Sequence, residues 1–187
     1  MTIKQIIAGL ESTNEKEILK SLSALKTDGN SKILVPLANL LLVNEDATIN
    51  AEGLEVFSSL KDSSAIEVVM SIVKDDKYAP IRQPLLATIW NTQLDYSYHI
   101  ADFVELACDG DFLEALDCLT IMEGLNGPFE ERHILECQLL LKEFVEDTSP
   151  KDERKMQIMS EIAMLIKDFM TMESDDISNF DFEESED

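Results

Sequence analysis

Apolar residues recur at steps of three and four along nearly the whole chain. Because an α-helix turns once every 3.6 residues, this spacing places the apolar residues on one face of a helix. We find no convincing strand, and the scarcity of Gly and Pro, six and five residues, argues against a turn-rich β fold. The pattern predicts an all-α protein of about ten helices, each roughly 10 to 20 residues long. The stripes are Ile18/Leu19/Leu22/Leu25, Ile33/Leu37/Leu40/Leu41, Ile66/Val69/Met70/Val73, Ile100/Phe103/Val104/Ala107, Leu135/Leu139/Val145 and Ile158/Ile162/Leu165/Phe169.

Turn-forming residues separate these stripes. Gly29 is placed to end one helix and Ser31 to cap the next, while DGD at 109–111 and NGP at 126–128 are strong turn signals. Two prolines fall inside one predicted helix. Pro80 lies in its first turn, where no N–H is needed. Pro84 follows one turn later. The hydrogen bond that it cannot donate would have gone to the carbonyl of Pro80, in the frayed first turn of the helix, so the loss of stability is small.

A longer repeat is superimposed on the helical pattern. Segments that begin at Ala47, Ala79 and Asp111 align at a spacing of 32 residues. Their shared apolar positions, at offsets of 2, 7 and 10 from each start, fall on one face of a helix. The repeating unit is therefore a pair of helices, a helical hairpin. The aligned sets are Ile49/Ile81/Leu113, Leu54/Leu86/Cys118 and Phe57/Ile89/Ile121.

One copy of the repeat has a more specific pattern. In APIRQPLLATI, residues 79–89, Arg82 follows an aliphatic residue and precedes small and aliphatic ones. This segment resembles the second helix of the HEAT-repeat family, although Asn50 and Glu114 stand in the position of Arg82 in the other copies. The resemblance implies an α-α superhelix of about five stacked helical hairpins, with atypical caps at both ends. It predicts a repeat domain over residues 1–172, clearest at about 31–125.

The last fifteen residues differ from the rest of the chain. Eight of residues 173–187 are acidic and none is basic, which predicts a disordered acidic tail. Ile177, Phe180 and Phe182 lie within the acidic run. Two interpretations stay open: the tail is only solvated, or it is a short docking peptide that folds onto a partner.

The charge of the chain restricts its partners. The formal net charge is −23, from 38 acidic and 15 basic residues. Such a charge repels the phosphates of nucleic acids and anionic membrane surfaces. We therefore expect no nucleic-acid or membrane partner. Either the excess charge serves only solubility, or it suits a partner protein with a basic surface or a Lys/Arg-rich segment.

The cysteines and the chain start bear on the compartment. Three cysteines without a CxxC spacing indicate free thiols rather than a disulfide framework or a zinc site. Residues 1–12 lack the apolar core of a signal peptide. The longest apolar stretch, residues 33–43, is far shorter than the roughly 20 residues that cross a bilayer. We predict a soluble, cytoplasmic protein.

The residues that could take part in catalysis do not form a recognisable catalytic motif in the sequence. Of the two histidines, His99 is expected to cap a helix or lie at the surface, and His133 to face solvent and pair with a neighbouring glutamate. Cys118 occupies a core position of the repeat. The acidic segment 109–117 departs from the ligand spacing of an EF-hand. We predict no enzymatic activity, no cofactor and no metal site.

The most informative feature is a gap in the basic residues. No Lys or Arg occurs between Gln83 and Glu131. In stacked repeats the surfaces of neighbouring units align, so this segment predicts one continuous negative patch, unless it is a generic acidic surface. Trp90, the only tryptophan, is expected to pack in the core or between repeats, and the alternative is an exposed anchor for a partner. The predicted protein-binding residues, called the acidic ridge below, are Asp95, Asp109, Asp111, Glu114, Asp117 and Glu123, with Phe180 and Phe182 of the tail as a second arm.

The sequence thus predicts a non-catalytic protein-protein interaction module, such as a scaffold, adaptor or assembly factor. It would present its acidic surface to a basic segment of a partner protein, with a monomer as the favoured state. The alternative is an acidic inhibitor or immunity-type protein that blocks a basic active site. An inhibitor of that kind should form a tight equimolar complex with a single enzyme and purify with it.

Overall fold

The computed structural model describes the backbone of residues 1–25 and 31–178 and the side chains of these residues through Thr171. This part of the chain contains ten α-helices, four short 3-10 turns and no strand, which confirms the predicted all-α class. None of these helices combines the length and the apolar character needed to cross a membrane. The helices are α1 (Ile3–Leu10), α2 (Glu15–Leu25), α3 (Leu34–Val43), α4 (Ala47–Ser58), α5 (Ile66–Lys74), α6 (Ala79–Ile89), α7 (Ile100–Asp109), α8 (Phe112–Glu123), α9 (Glu131–Glu146) and α10 (Glu153–Ser178).

The chain divides into two compact units, Met1–Tyr96 and Ser97–Asp187. Unit 1 contains three hairpins, α1–α2, α3–α4 and α5–α6, in which first helices pack on first helices and second helices on second helices. Unit 2 contains two hairpins, α7–α8 and α9–α10, with α7 packed on α9 and α8 on α10. Each unit is therefore a stack of helical hairpins, as the repeat predicts.

The acidic tail is described only in part. α10 continues to Ser178, so the first six residues of the segment predicted to be disordered belong to a helix. Phe180 and Phe182 lie outside the described residues. Their role in a docking peptide stays a prediction.

Each copy of the repeat buries two of its three aligned apolar positions, and the remaining position is half-buried in the first two copies and exposed in the third. Ile49, Phe57 and Ile89 are almost completely buried, but Leu113 is 50% exposed. The reason is a register shift, because Ile49 is the third residue of its helix whereas Leu113 is the second residue of α8. A shift of one residue along a helix rotates the side-chain direction by about 100° around the helix axis.

The expectation that Trp90 packs in the core or between repeats is wrong, since it follows the last residue of α6 and is 51% exposed.

A polar side chain of the second helix holds the end of the first helix in two hairpins of unit 1. The Asn50 amide donates to the carbonyl of Asn44 at 2.9 Å, just beyond α3. Arg82 donates through Nε to the carbonyl of Val73 in the last turn of α5 at 2.7 Å, and its guanidinium also meets Asp76 at 3.1 Å. These donors supply partners for carbonyls that have none within a helix. The two residues occupy the same position of the repeat.

In the sequence alignment the third copy has Glu114 at that position, and an ionised carboxylate cannot donate. In the structure Glu114 is the third residue of α8, whereas Asn50 and Arg82 are each the fourth residue of their helices. Glu114 instead accepts the backbone N–H of Asp111 at 3.0 Å. The end of α7 receives its donor from α10, because Lys155 Nζ donates to the carbonyls of Cys108 and Gly110, both at 2.6 Å. The hairpin α7–α8 therefore depends on α10 for a contact that two hairpins of unit 1, α3–α4 and α5–α6, make within themselves.

Ser21 gives a prediction for the packing of α1 on α2. Its side chain is fully buried and its hydroxyl has no hydrogen-bond partner, and that hydroxyl occupies the space that a Cβ on Gly9 would need. A buried hydroxyl without a partner costs roughly 1 to 3 kcal/mol. We expect Ser21→Ala to raise the free energy of unfolding in urea by about 1 kcal/mol.

The matched control is Ser23→Ala, on the exposed side of the same helix. Both substitutions gain the same helix propensity, so the difference between them isolates the buried hydroxyl. Equal stabilities of the two variants would contradict this account of Ser21.

Candidate functional site

The residues of the predicted acidic ridge divide between the two units. Asp95 belongs to unit 1, and the other five belong to unit 2. Asp95, Asp109, Asp111 and Glu123 are exposed, whereas Glu114 and Asp117 are partly buried. The five residues of unit 2 lie at the end of α7, in the turn after it and along α8.

Two of these five residues have a structural task at the start of α8. Asp111 is the N-cap, and its carboxylate accepts the N–H groups of Leu113 at 2.8 Å and Glu114 at 3.0 Å. Glu114 accepts the N–H of Asp111 in return, which completes a capping box. Both carboxylates also lie at the positive end of the helix dipole. Capping of α8 is therefore sufficient to explain why these two residues are acidic, and a role in partner binding stays a prediction.

A cleft of about 630 Å³ lies in unit 2 beside the turn between α7 and α8. We call it the acidic cleft, because carboxylates from several elements line it. α7 and the turn after it contribute one set, and α9 and the loop after it contribute another. The acidic residues of the cleft are Glu105, Asp109, Asp111, Glu143, Asp147 and Asp152. The structure thus brings together two segments of the chain that sequence reasoning did not connect.

Residues 83–131 contain no Lys or Arg, but the fold brings cations from another part of the chain next to them. Lys151 and Lys155 line the cleft beside the acidic residues. Lys155 binds the carbonyls at the end of α7, and the Arg154 guanidinium lies 4.7 Å from the centre of the Phe112 ring. The predicted negative patch is therefore interrupted next to Asp109 and Asp111 by cations that precede or begin α10.

Two carboxylates of the cleft accept hydrogen bonds from residues close to them in the sequence. Hydrogen bonds from Ser149 lower the pKa of Asp147, whose side chain also meets Lys151 at 3.8 Å. Hydrogen bonds from Arg154 lower the pKa of Asp152 to about 2. Both groups are ionised at neutral pH and contribute negative charge to the cleft.

The thiols near the cleft are poor nucleophiles. Burial raises the pKa of Cys108 to about 11, even though Lys155 acts in the opposite direction. Burial also raises the pKa of Cys137 to about 12. Because the thiolate is the reactive form, both groups stay protonated and unreactive at neutral pH. All three cysteines are free thiols, and Cys118 is buried at its predicted core position.

The two histidines have different contacts in unit 2. His99 Nδ1 is 2.7 Å from a carboxylate oxygen of Asp102. The ring of His133 packs edge-on against Tyr98, with 6.3 Å between the ring centres, and its Nδ1 is buried without a partner. The expectation that His133 faces solvent and pairs with a glutamate is therefore wrong. In the described part of the chain, no group of three or more His, Cys, Asp or Glu side chains is placed to hold a metal ion.

Comparisons with known proteins do not assign the chain to a family. No protein-family model, no curated protein and no solved structure matches it. The HEAT-repeat resemblance therefore stays a prediction.

Proposed function

We propose that the protein is a non-catalytic, HEAT-like helical-repeat module that binds a basic segment of a partner protein through the acidic cleft. The observation that carries this proposal is the composition of the cleft lining, in which six carboxylates face two lysines. A module of this kind serves as a scaffold, adaptor or assembly factor. Attraction between opposite charges speeds association and selects basic partners.

The aromatic residues of the cleft support the same proposal. Lys151 and Lys155 both lie over the ring of Phe144, each with its Nζ 5.2 Å from the ring centre. Cations are attracted to the faces of aromatic rings. A Lys or Arg of a partner could contact an aromatic ring and a carboxylate at the same time in this cleft. Lys151 already makes both kinds of contact there.

The expected binding is sensitive to salt. An exposed ion pair contributes only about 0 to 1 kcal/mol, so affinity must come from several pairs acting together. Ionic strength near that of the cell limits such attraction to about 8 Å. Binding of a basic peptide should therefore weaken clearly between low and physiological salt.

Two triple variants test the proposal with equal changes in charge. The cleft variant carries Glu105→Gln, Asp109→Asn and Glu143→Gln. The ridge variant carries Glu114→Gln, Asp117→Asn and Glu123→Gln, and Gln at position 114 preserves the capping box. The probe is a short fluorescein-labelled peptide rich in Lys and Arg, and its binding is followed by fluorescence anisotropy. We expect the cleft variant to lose roughly tenfold in affinity, about 1.4 kcal/mol, and the ridge variant to lose about twofold or less.

The remaining outcomes reject the proposal in different ways. A loss confined to the ridge variant would move the binding surface to the three residues of the predicted acidic ridge that lie on α8. Equal losses in both variants would show that the peptide responds only to total charge, and the cleft would then have no special role. Far-UV circular dichroism of each variant establishes that the fold is unchanged.

A further inference from the structure

Unit 1 carries a second concave surface, a groove of about 740 Å³ that is separate from the acidic cleft in its residues. The turn between α1 and α2, the outer side of α3 and the turn between α3 and α4 form its walls. We call it the unit 1 groove. All of its lining residues lie between Leu10 and Ile49, so it is formed within one compact unit.

The floor of the groove is apolar. Leu10, Ile18 and Ile49 are core residues whose side chains are at most 4% exposed, and they reach the groove from below. One wall is Val43, the last residue of α3, which is 77% exposed. An isolated exposed valine is ordinary, but this one stands next to an apolar floor. The arrangement offers a place for one apolar side chain of a partner.

All the charged residues that line the groove are acidic. Its charged residues are Glu11, Glu15, Glu45 and Asp46, and none of the lining residues is basic. Lys77, which is not a lining residue, donates to the side chain of the lining residue Asn39 at 2.5 Å.

The helix ends at the groove favour a cation as well. α1 and α3 both end at the groove, and neither has a basic residue in its last turn. The carbonyl end of a helix carries a partial negative charge, which attracts cations. The two helices that begin there are already capped, since Asp46 accepts two N–H groups of α4 and Asn14 accepts the N–H of Lys16.

We propose that the unit 1 groove docks an amphipathic segment of a partner protein, in which one aliphatic or aromatic residue is flanked by Lys or Arg. The apolar residue would cover the floor beside Val43, and the basic residues would meet the carboxylates of the groove. The charge identifies the occupant: a second copy of this chain, with a net charge of −23, or its own acidic residues 173–187 would be repelled. This proposal stands independently of the acidic cleft, because it requires an apolar anchor residue in addition to charge.

Three fluorescein-labelled peptides test the groove by anisotropy on the full chain. The first has one Leu flanked by Lys residues, the second has Ser in place of Leu, and the third has Leu flanked by Glu residues. We expect the first peptide to bind roughly tenfold more tightly than the second, as burial of one aliphatic side chain implies, and the third not to bind. Equal binding of the first and second peptides would overturn the proposal.

Matched protein variants locate the binding. Val43→Ser should abolish the preference for Leu over Ser, whereas Val35→Ser, at an exposed position of the same helix that does not line the groove, should preserve it. Glu11→Gln with Glu45→Gln should weaken the Leu peptide about fivefold or more, and Glu55→Gln with Glu67→Gln, outside the groove, should change it less than about twofold. Identical behaviour of Val43→Ser and Val35→Ser would reject the groove. The cleft variant described above should keep the Leu preference, so a failure of the acidic cleft and a failure of the groove give different results.

Discussion

Replacement of Lys155 by methionine is expected to lower the free energy of unfolding of unit 2 by about 2 kcal/mol. The substitution keeps an unbranched, mainly apolar side chain but removes the charged donor to the carbonyls of Cys108 and Gly110. A hydrogen bond to a charged group contributes about 1.5 to 3 kcal/mol, and the partial exposure of Lys155 places the expected value in the lower part of that range. The position of Nζ over the Phe144 ring adds a smaller contribution.

The measurement is urea denaturation followed by far-UV circular dichroism, with the fluorescence of Trp90 as a separate report on unit 1. The control is Lys142→Met, whose ammonium is 3.7 Å from Glu146 in a pair that is exposed on both sides. We expect the control to change the stability by less than about 0.5 kcal/mol. If both variants behaved alike, the bond between α10 and the end of α7 would have no energetic significance. A shift of the Trp90 transition equal to the circular dichroism shift would show that the effect is not confined to unit 2.

The second large effect concerns two residues that the repeat treats as equivalent. Ile49→Ala is expected to cost about 2 to 4 kcal/mol, the usual range for removal of a buried aliphatic side chain. Leu113→Ala is expected to cost less than about 1 kcal/mol, because half of its side chain is already exposed, against 1% for Ile49. The comparison therefore tests the register shift of α8 against the repeat alignment.

Each variant is compared with the parent chain by thermal and urea denaturation. A Leu113→Ala variant as unstable as Ile49→Ala would show that the alignment is right and that Leu113 is a core residue. A small effect of Ile49→Ala would instead show that the floor of the unit 1 groove tolerates the loss of three carbon atoms.

The sequence predicts the features that short segments determine. Helices follow from the spacing of apolar residues, and the hairpins follow from the repetition of that spacing. The start of α8 could be predicted because Asp111 and Glu114 form a capping box within four residues of each other. Residues 126–128 lie in the loop between α8 and α9, where Gly127 has a φ of 68°, a conformation that favours glycine.

Features that depend on distant segments could not be predicted in this way. Lys155 is far from Cys108 in the sequence, and nothing in either segment alone indicates that they meet. The acidic cleft likewise needs α7 and α9 side by side before Glu105 and Glu143 share a surface. The exposure of Leu113 depends on a one-residue difference in where α8 begins, and a repeat alignment without gaps does not record such a difference.

The donors that hold the helix ends also decide which pieces of this protein could be moved intact. The hairpins α3–α4 and α5–α6 each carry their own donor, Asn50 and Arg82, so a copy of either one brings its closing contact along. The hairpin α7–α8 borrows its donor from α10. Those two hairpins can therefore be duplicated or grafted as separate modules. The segment from α7 to α10 has to be transferred whole, because the donor for the end of α7 lies on α10.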